Sequence, residues 1–590
     1  MSKNLFQGLK PKATLHKNAF DLSYRNIFSA KAGQILPIMC QELVPGDHFK
    51  VDCSALIRTQ ALNTAAFLRT KCYYHFFFVP FSTLWHGWDS FINQRANQTS
   101  SNVHGSSYVP NIGLTALSKY LYETRDVRDV HGFKYYDGAL KLCEYLGYGD
   151  LSYGQKLYEE NVSQENDNCV SILPILAYNK VYYDYYSNPY YEQPDPVLFN
   201  VDIVDASSPL TSCISNNTMY SLLNQGQSAI SRMFSIKYRS YKKDLFMGLM
   251  PEQQFGSASL SGINDFSLIL KGDGIAQGDG EPDLTLEEVS QGRYRIAGKN
   301  YVERDGASTG FDAYNSTFDG SRLNFDVLQL RKAEALQRWK ENTLRAGNRL
   351  DDNAMAHFGM RPRHFMSDHA DYIGGFDSSI NVDEVIATAD SANELGKIAG
   401  KGISAVNGSV VEYDASEFGY LMCMFSIVPE SDYNGNMITK HVTRLEPFDY
   451  FTPEFENLGL EAVYNYQLTG AWQKLRSRVP LDGNSNELVM SHNVLGYAPR
   501  YSDYKTNVDV VHDEFRTGKS LSAWCTPRSD IQKSLGISLT VSDFKVDPSI
   551  LNPVFVKAMD ENRTSDPFLV NCYFSVSALR PMSILGLPSY

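Results

Sequence analysis

Several stretches of the chain alternate apolar and polar residues with a period of two, the mark of a half-buried strand. Phe49, Val51, Cys53, Ala55 and Ile57 alternate with Lys50, Asp52, Ser54 and Arg58. Leu68, Cys72, Tyr74, Phe76 and Phe78 share one face, with Arg69, Lys71 and His75 on the other. Ile537, Leu539 and Val541 alternate with Ser538, Thr540 and Ser542. Phe568, Val570, Cys572, Phe574, Val576 and Ala578 alternate with Asn571, Ser575 and Ser577. Tyr420 to Val428 is apolar on both faces, as a strand covered on both sides would be. These strands gather at roughly 34–80 and 410–578. Strands so far apart in sequence must close one sheet system around what lies between, which predicts an antiparallel sandwich or jelly roll with large insertions.

The middle of the chain follows another rhythm. Residues 324–346 predict a helix, with Asn324 as N-cap and Gly347 just past the end. Glu334–Arg338 and Glu341–Arg345 are spaced i,i+4 in the favourable order for a solvated helix face. Residues 172–186 predict a second helix, carrying Tyr178, Tyr182, Tyr183, Tyr185 and Tyr186. The Gly- and Asp-rich stretch 257–323 reads as loops. The length of 590 residues allows about four domains of ~150 residues or one much-inserted domain.

Composition narrows the function. With 43% hydrophobic and 21% charged residues, the chain has matter for a large core. The 37 Tyr and 32 Phe against 5 Trp favour strands and wide contact surfaces. A net charge of −13 excludes a globally basic nucleic-acid binder but not a local basic face. The 9 cysteines are odd in number and form no C-x-x-C pair, against a disulfide framework or zinc ribbon and for a reducing compartment. The N-terminus shows no secretory signal. The aromatic run Tyr73–Phe81 falls far short of the ~18–20 residues of a membrane helix, so no membrane insertion is expected.

Candidate chemistry is sparse. Gly306-Ala307-Ser308-Thr309-Gly310 matches the G-x-S-x-G nucleophile elbow, but its flanks are polar and turn-rich where a strand and a helix are needed. Gly272-Asp273-Gly274 and Gly278-Asp279-Gly280 fit neither a phosphate-cradle nor a calcium-loop spacing. His364, Asp368, His369 and Asp371 are the densest group of ligand-type residues, without an H-E-x-x-H pattern, and read as a solvated or interface loop. The expectation is no enzyme, no cofactor and no metal. The N-terminal arm stands apart: Lys3, Lys10, Lys12, Lys17 and Arg25 face only Asp21 in the first 25 residues. Such an arm is either a solvated terminus or a phosphate contact that reads no sequence.

Many motifs, in order from end to end, carry a resemblance. AFDLSYRNIFSAKAGQILPIMCQELVPGDHFKVD (19–52), TKCYYHFFFVPFSTLWHGWDSFI (70–92), SILPILAYNKVYYDYY (171–186), YRSYKKDLFMGLMPEQQFG (238–256), LQLRKAEALQRWKENTLRAGNRL (328–350), HFGMRPRHFMSDHADYIGG (357–375), EFGYLMCMFSIVPE (417–430), FTPEFENLGL (451–460) and LVNCYFSVSALRPM (569–582) resemble the major capsid proteins of microviruses, small tailless single-stranded DNA bacteriophages, nearest the gokushovirus-like branch. The resemblance implies a mainly β fold: an eight-stranded antiparallel jelly-roll core with large loop and helical insertions. It divides the chain into a basic arm (1–30), first jelly-roll strands (31–92), insertions (93–410) with variable surface loops near 93–170, 187–237 and 257–327, and the remaining strands (411–590). It further implies a 60-copy T=1 icosahedral shell, found in the virion and assembled in the bacterial host cytoplasm. The partners implied are the single-stranded DNA genome, a small basic internal DNA-binding protein, DNA pilot and scaffolding proteins, and a host surface receptor. The alternative from another class is a jelly roll that binds or cleaves carbohydrate, for which a carboxylate pair and Trp platforms are expected.

Overall fold

The computed structural model describes residues 16–85, 87–93, 109–123, 125–126, 134–160, 169–193, 198–199, 232–254, 285–290, 293–297, 327–346, 350–360, 369–386, 398–408, 410–470, 472–476, 486–490, 493–532, 539–555 and 566–584. The chain falls into two units, one of residues 1–253 with 343–590 and one of residues 254–342.

Eight strands organise the first unit: β1 (Tyr24–Ala30), β2 (Leu36–Leu43), β3 (His48–Thr59), β4 (Thr70–Pro80), β5 (Asp371–Ile386), β6 (Ile398–Asn407), β7 (Gly419–Pro429) and β8 (Phe568–Arg580). Their pairing is nested and antiparallel. The first strand pairs with the last, the second with the seventh, the third with the sixth and the fourth with the fifth. Two further pairings, β3 with β8 and β4 with β7, set these hairpins side by side. The result is two four-stranded faces, ordered β1-β8-β3-β6 and β2-β7-β4-β5. Strand β5 joins them, pairing with β4 through Asp371–Ile380 and with β6 through Asn381–Ile386. Nested pairing of eight strands across two faces is jelly-roll topology. The short strands Asn18–Asp21, beside β8, and Val411–Asp414, beside β3, complete a ten-stranded sheet.

Side-chain alternation explains the first face. On β3, Phe49, Val51, Cys53, Ala55 and Ile57 are buried; on β8, so are Phe568, Val570, Cys572, Phe574, Val576 and Ala578. Their neighbours in sequence point outward, so one face is core and the other is open. The second face differs because insertions cover it. Every residue of β7 except Tyr420 is buried. Helix α1 (Tyr135–Tyr145) sets Tyr145 edge-on to Phe28 at 5.8 Å. Helix α2 (Leu173–Val181) runs into a single π-helical turn, Tyr182–Tyr186, that places Tyr185 4.9 Å from Phe77 of β4. Doubly apolar strands and the Tyr-rich helix thus require each other: each buries what the other cannot leave in water.

The segment between β4 and β5 and the segment between β7 and β8 are the two long insertions. Here two expectations fail. The range 93–410, read as insertion throughout, contains β5 and β6, the two strands through which the faces join. The alternating residues Ile537–Val541 are not a strand where described. Thr540 instead caps the helical turn Val541–Phe544, its backbone N–H donating to Asp543 Oδ2 at 2.7 Å; the hydroxyl and carboxylate satisfy the turn's free amides and outweigh the alternation.

In the second unit, Thr285–Ser290 pairs with Arg293–Ala297 as a hairpin. Helix α3 (Val327–Ala346) begins there, and Gln337 hydrogen-bonds Gln254 and Glu341. Asn324 lies outside the described residues.

Candidate assembly and nucleic-acid surfaces

The open side of the β1-β8-β3-β6 face is built by strand parity. Residues alternate across the pleat, so Arg25 and Ile27 of β1, Leu56 and Arg58 of β3, and Leu569, Asn571 and Tyr573 of β8 emerge together. Ile27 is 64% exposed and Tyr573 is 49% exposed. The Arg25 Nε donates to Asn571 Oδ1 at 2.8 Å, and Arg25 stands opposite Tyr573 in the strand register. A hollow of about 350 Å³ lies here, lined by Arg25, Ser54, Leu56, Asn571 and Tyr573 among others. Toward the margin, Lys50 Nζ meets Glu412 at 2.8 Å and His48 Nδ1 meets Asp414 at 2.8 Å. A cation beside an aromatic platform can take a phosphate and stack a base without reading sequence.

Of the arm residues, Arg25 sits on this face. Lys17 is exposed immediately before the strand Asn18–Asp21 that borders β8. Lys3, Lys10 and Lys12 lie outside the described residues.

The covered side is held by buried and half-buried polar groups. Arg239 lies 3.8 Å over the Tyr73 ring and donates to Ser426 at 2.9 Å. Lys141 Nζ reaches Asp566 Oδ2 and the Ser29 carbonyl, both at 2.7 Å, tying α1 to the residues before β8 and to β1. The positive charge of Lys141 and the Ser29 hydroxyl hold the Asp566 carboxyl below its ordinary range against the pull of burial. Arg528 is fully buried between Asp530, the Asp543 carbonyl and the Tyr241 ring at 4.0 Å. Lys141 and Arg528 each meet a carboxylate and Arg239 a hydroxyl and an aromatic ring, and the contacts Lys141–Asp566, Arg239–Ser426 and Arg528–Tyr241 join segments far apart in sequence. These groups fasten insertions to the core.

The sites considered for catalysis or metal fall mostly elsewhere. The residues 306–310, the glycines 272–280, His364 and Asp368 lie outside the described residues. His369 is buried at the start of β5, and Asp371 accepts the Tyr413 hydroxyl at 3.3 Å. Among the described residues no three His, Cys, Asp or Glu side chains gather to hold a metal ion. No described helix is long and apolar enough to cross a membrane.

One surface escaped the sequence reading. In the β7–β8 insertion, residues 445–459 contain no buried residue, yet the loop is tightly fixed. Asp449 Oδ2 accepts the Leu445 and Glu446 amides at 2.9 and 3.0 Å. Arg444 pairs with Asp503 and stacks on Tyr504 at 4.1 Å; Lys505 holds Glu456 at 2.9 Å. Phe451 packs edge-on against Tyr501 at 5.0 Å. The available signal was apolar residues spaced without helical or strand period among Pro and acids.

The jelly roll serves capsid, lectin and enzyme functions alike, and comparison with known proteins decides among them. Residues 10–133 and 161–590 match the family model of the phage capsid protein, the F protein. The chain belongs to that family. Capsid protein VP1 of Chlamydia phage 1 is 22% identical over 640 aligned positions, covering 99% of this chain and 97% of that one. Capsid protein VP1 of Bdellovibrio phage phiMH2K is 21% identical over 98% and 96% of the two chains. Capsid protein VP1 of Spiroplasma virus 4 is 20% identical over 98% and 95%. The capsid chain is therefore matched along nearly its whole length, and the resemblance to microvirus capsid proteins is borne out. Exposed aromatic groups such as Phe448, Tyr450, Phe451 and Tyr573 suit a virion component that meets neighbours.

Proposed function

We propose that sixty copies of this capsid chain close a T=1 icosahedral shell around a single-stranded DNA genome. The open, cation-bearing β1-β8-β3-β6 face looks inward in this reading, and the insertions look outward. The observation that carries it is the asymmetry of the jelly roll: one face sealed by paired, buried insertions, the other left open with Arg25, Asn571 and Tyr573 around a nucleotide-sized hollow. The net charge of −13 fits a shell whose DNA contacts are confined to one face and shared with a small basic internal protein. The arm residues Lys3, Lys10, Lys12, Lys17 and Arg25 supply contacts to phosphate. Pilot and scaffolding proteins, assembly in the host cytoplasm and host attachment through the surface insertions complete the reading. The test is a density map of purified particles. Nucleic-acid density against β1 and β8 supports the orientation; density only against the insertions, with β1 and β8 facing solvent outside, overturns it.

A further inference from the structure

The loop Arg444–Leu458 presents several large apolar side chains that the chain itself leaves in water. Leu445 is 87% exposed, Phe448 68% and Leu458 62%, with Tyr450 and Phe451 beside them. Scattered exposed apolar groups are ordinary, but five within fourteen residues form a patch of the kind that partners cover. The framework beneath is costly: Tyr501, which anchors Phe451, adopts a left-handed φ of 59° that non-glycine residues seldom take. Ion pairs at both ends hold the loop in one conformation before anything binds, which lowers the entropy lost on docking.

Charge identifies the occupant. Between Leu445 and Leu458 stand Glu446, Asp449, Glu454 and Glu456 and no Lys or Arg. Helix α3 has the opposite character. It carries Arg331, Lys332, Arg338, Lys340 and Arg345 against Glu334 and Glu341, and leaves Leu336 45% and Trp339 49% exposed. Leu336 and Trp339 are three apart and so share a face, with Lys332 and Arg338 flanking them. An acidic rim around Leu, Phe and Tyr fits a basic rim around Leu and Trp.

We propose that the loop Arg444–Leu458 of one copy docks on helix α3 of a second copy, as a heterologous contact that repeats around the shell. Phe448 and Leu445 meet Leu336 and Trp339, while Glu454 faces Arg331 and Arg338. Because the surfaces differ, each copy offers a loop to one neighbour and a helix to another, which is how rings close. Charge complementarity also sets which face a neighbour meets. This contact deepens the shell reading above and rests on it.

The experiment places benzoylphenylalanine at Phe448 and irradiates assembled particles. The expected product is a two-chain adduct joining position 448 to a peptide within 327–346. In parallel, Glu454→Lys and Arg338→Glu each lower shell yield roughly tenfold, and their combination restores it. Leu445→Asp/Phe448→Asp blocks shell formation with the subunit's thermal unfolding unchanged. Adducts only to other peptides, no rescue by the charge swap, or wild-type shell yield from Leu445→Asp/Phe448→Asp overturn the contact. A wild-type chain that forms no particles overturns the shell reading beneath it.

Discussion

The imidazole Nδ1 of His75, on β4, lies 2.8 Å from the hydroxyl of Tyr186 in the π-helical turn after α2. The rings stack at 5.9 Å, and this pair fastens the first insertion to the jelly roll. Replacing Tyr186 by Phe removes the hydrogen bond while keeping the ring. Subunit stability falls by about 1–2 kcal/mol in denaturant unfolding, with the midpoint lowered and the slope unchanged.

Burial, with the neighbouring charge of Arg239 adding to it, pulls the His75 imidazole down to about 4. The folded state therefore resists a proton that the unfolded chain accepts near pH 6.5. The neutral-histidine contribution is complete above pH 6.5. It is lost as the pH falls through 6.5 toward about 4, at up to about 1.4 kcal/mol per pH unit. His75→Gln flattens the stability profile in that window, as measured by thermal unfolding of subunits between pH 4 and 7.

Two glycines separate conformation from contact. Gly147 and Gly470 both hold left-handed φ, 88° and 59°. An added Cβ at Gly147 meets nothing within 4 Å, whereas at Gly470 it runs into the carbonyl of Asn436. Gly147→Ala costs about 1–2 kcal/mol. Gly470→Ala adds displacement of that backbone and costs about 3–5 kcal/mol in all. Chemical denaturation of the two variants checks the difference.

The thiols of Cys53, Cys72 and Cys423 are buried in the core, and burial pushes them up, Cys53 most through its neighbour Cys572. Labelling by a thiol reagent at pH 8, read residue by residue, reaches them only at the rate of global unfolding, whereas partly exposed Cys525 labels in the native state.

The arm carries a packaging prediction. Lys3, Lys10, Lys12 and Lys17 changed together to Glu reduce encapsidated DNA and leave shell formation intact. The binding of single-stranded DNA by wild-type subunits weakens with salt more steeply than that of the variant. Equal DNA content and equal salt slopes contradict the assignment.

How much of this was legible in the chain depended on the amplitude of the pattern. Strands β3, β4 and β8 alternate Phe, Val, Cys and Ile with polar residues, so their period of two is plain in the sequence. Strand β5, DYIGGFDSSINVDEVI, mixes Asp, Ser and Gly into both faces, so its period is faint. In β6 glycines interrupt the alternation. In fact a side chain at Gly402 would strike Thr59 on β3, so glycine there marks close approach and not a turn. The arm and its chemistry were visible as charge. The hollow at Arg25 and Tyr573 was not, because its walls come from strands hundreds of residues apart, and the loop 444–458 shows no period at all.

The central claim is a closed shell of sixty subunits. Charge-detection mass spectrometry of purified, nucleic-acid-free particles tests it most directly. Sixty copies of a 66.4 kDa chain give about 4 MDa of protein. A single sharp species at that mass is the predicted result. A population that stops at monomers or small oligomers, or closes at a mass incompatible with sixty copies, contradicts it.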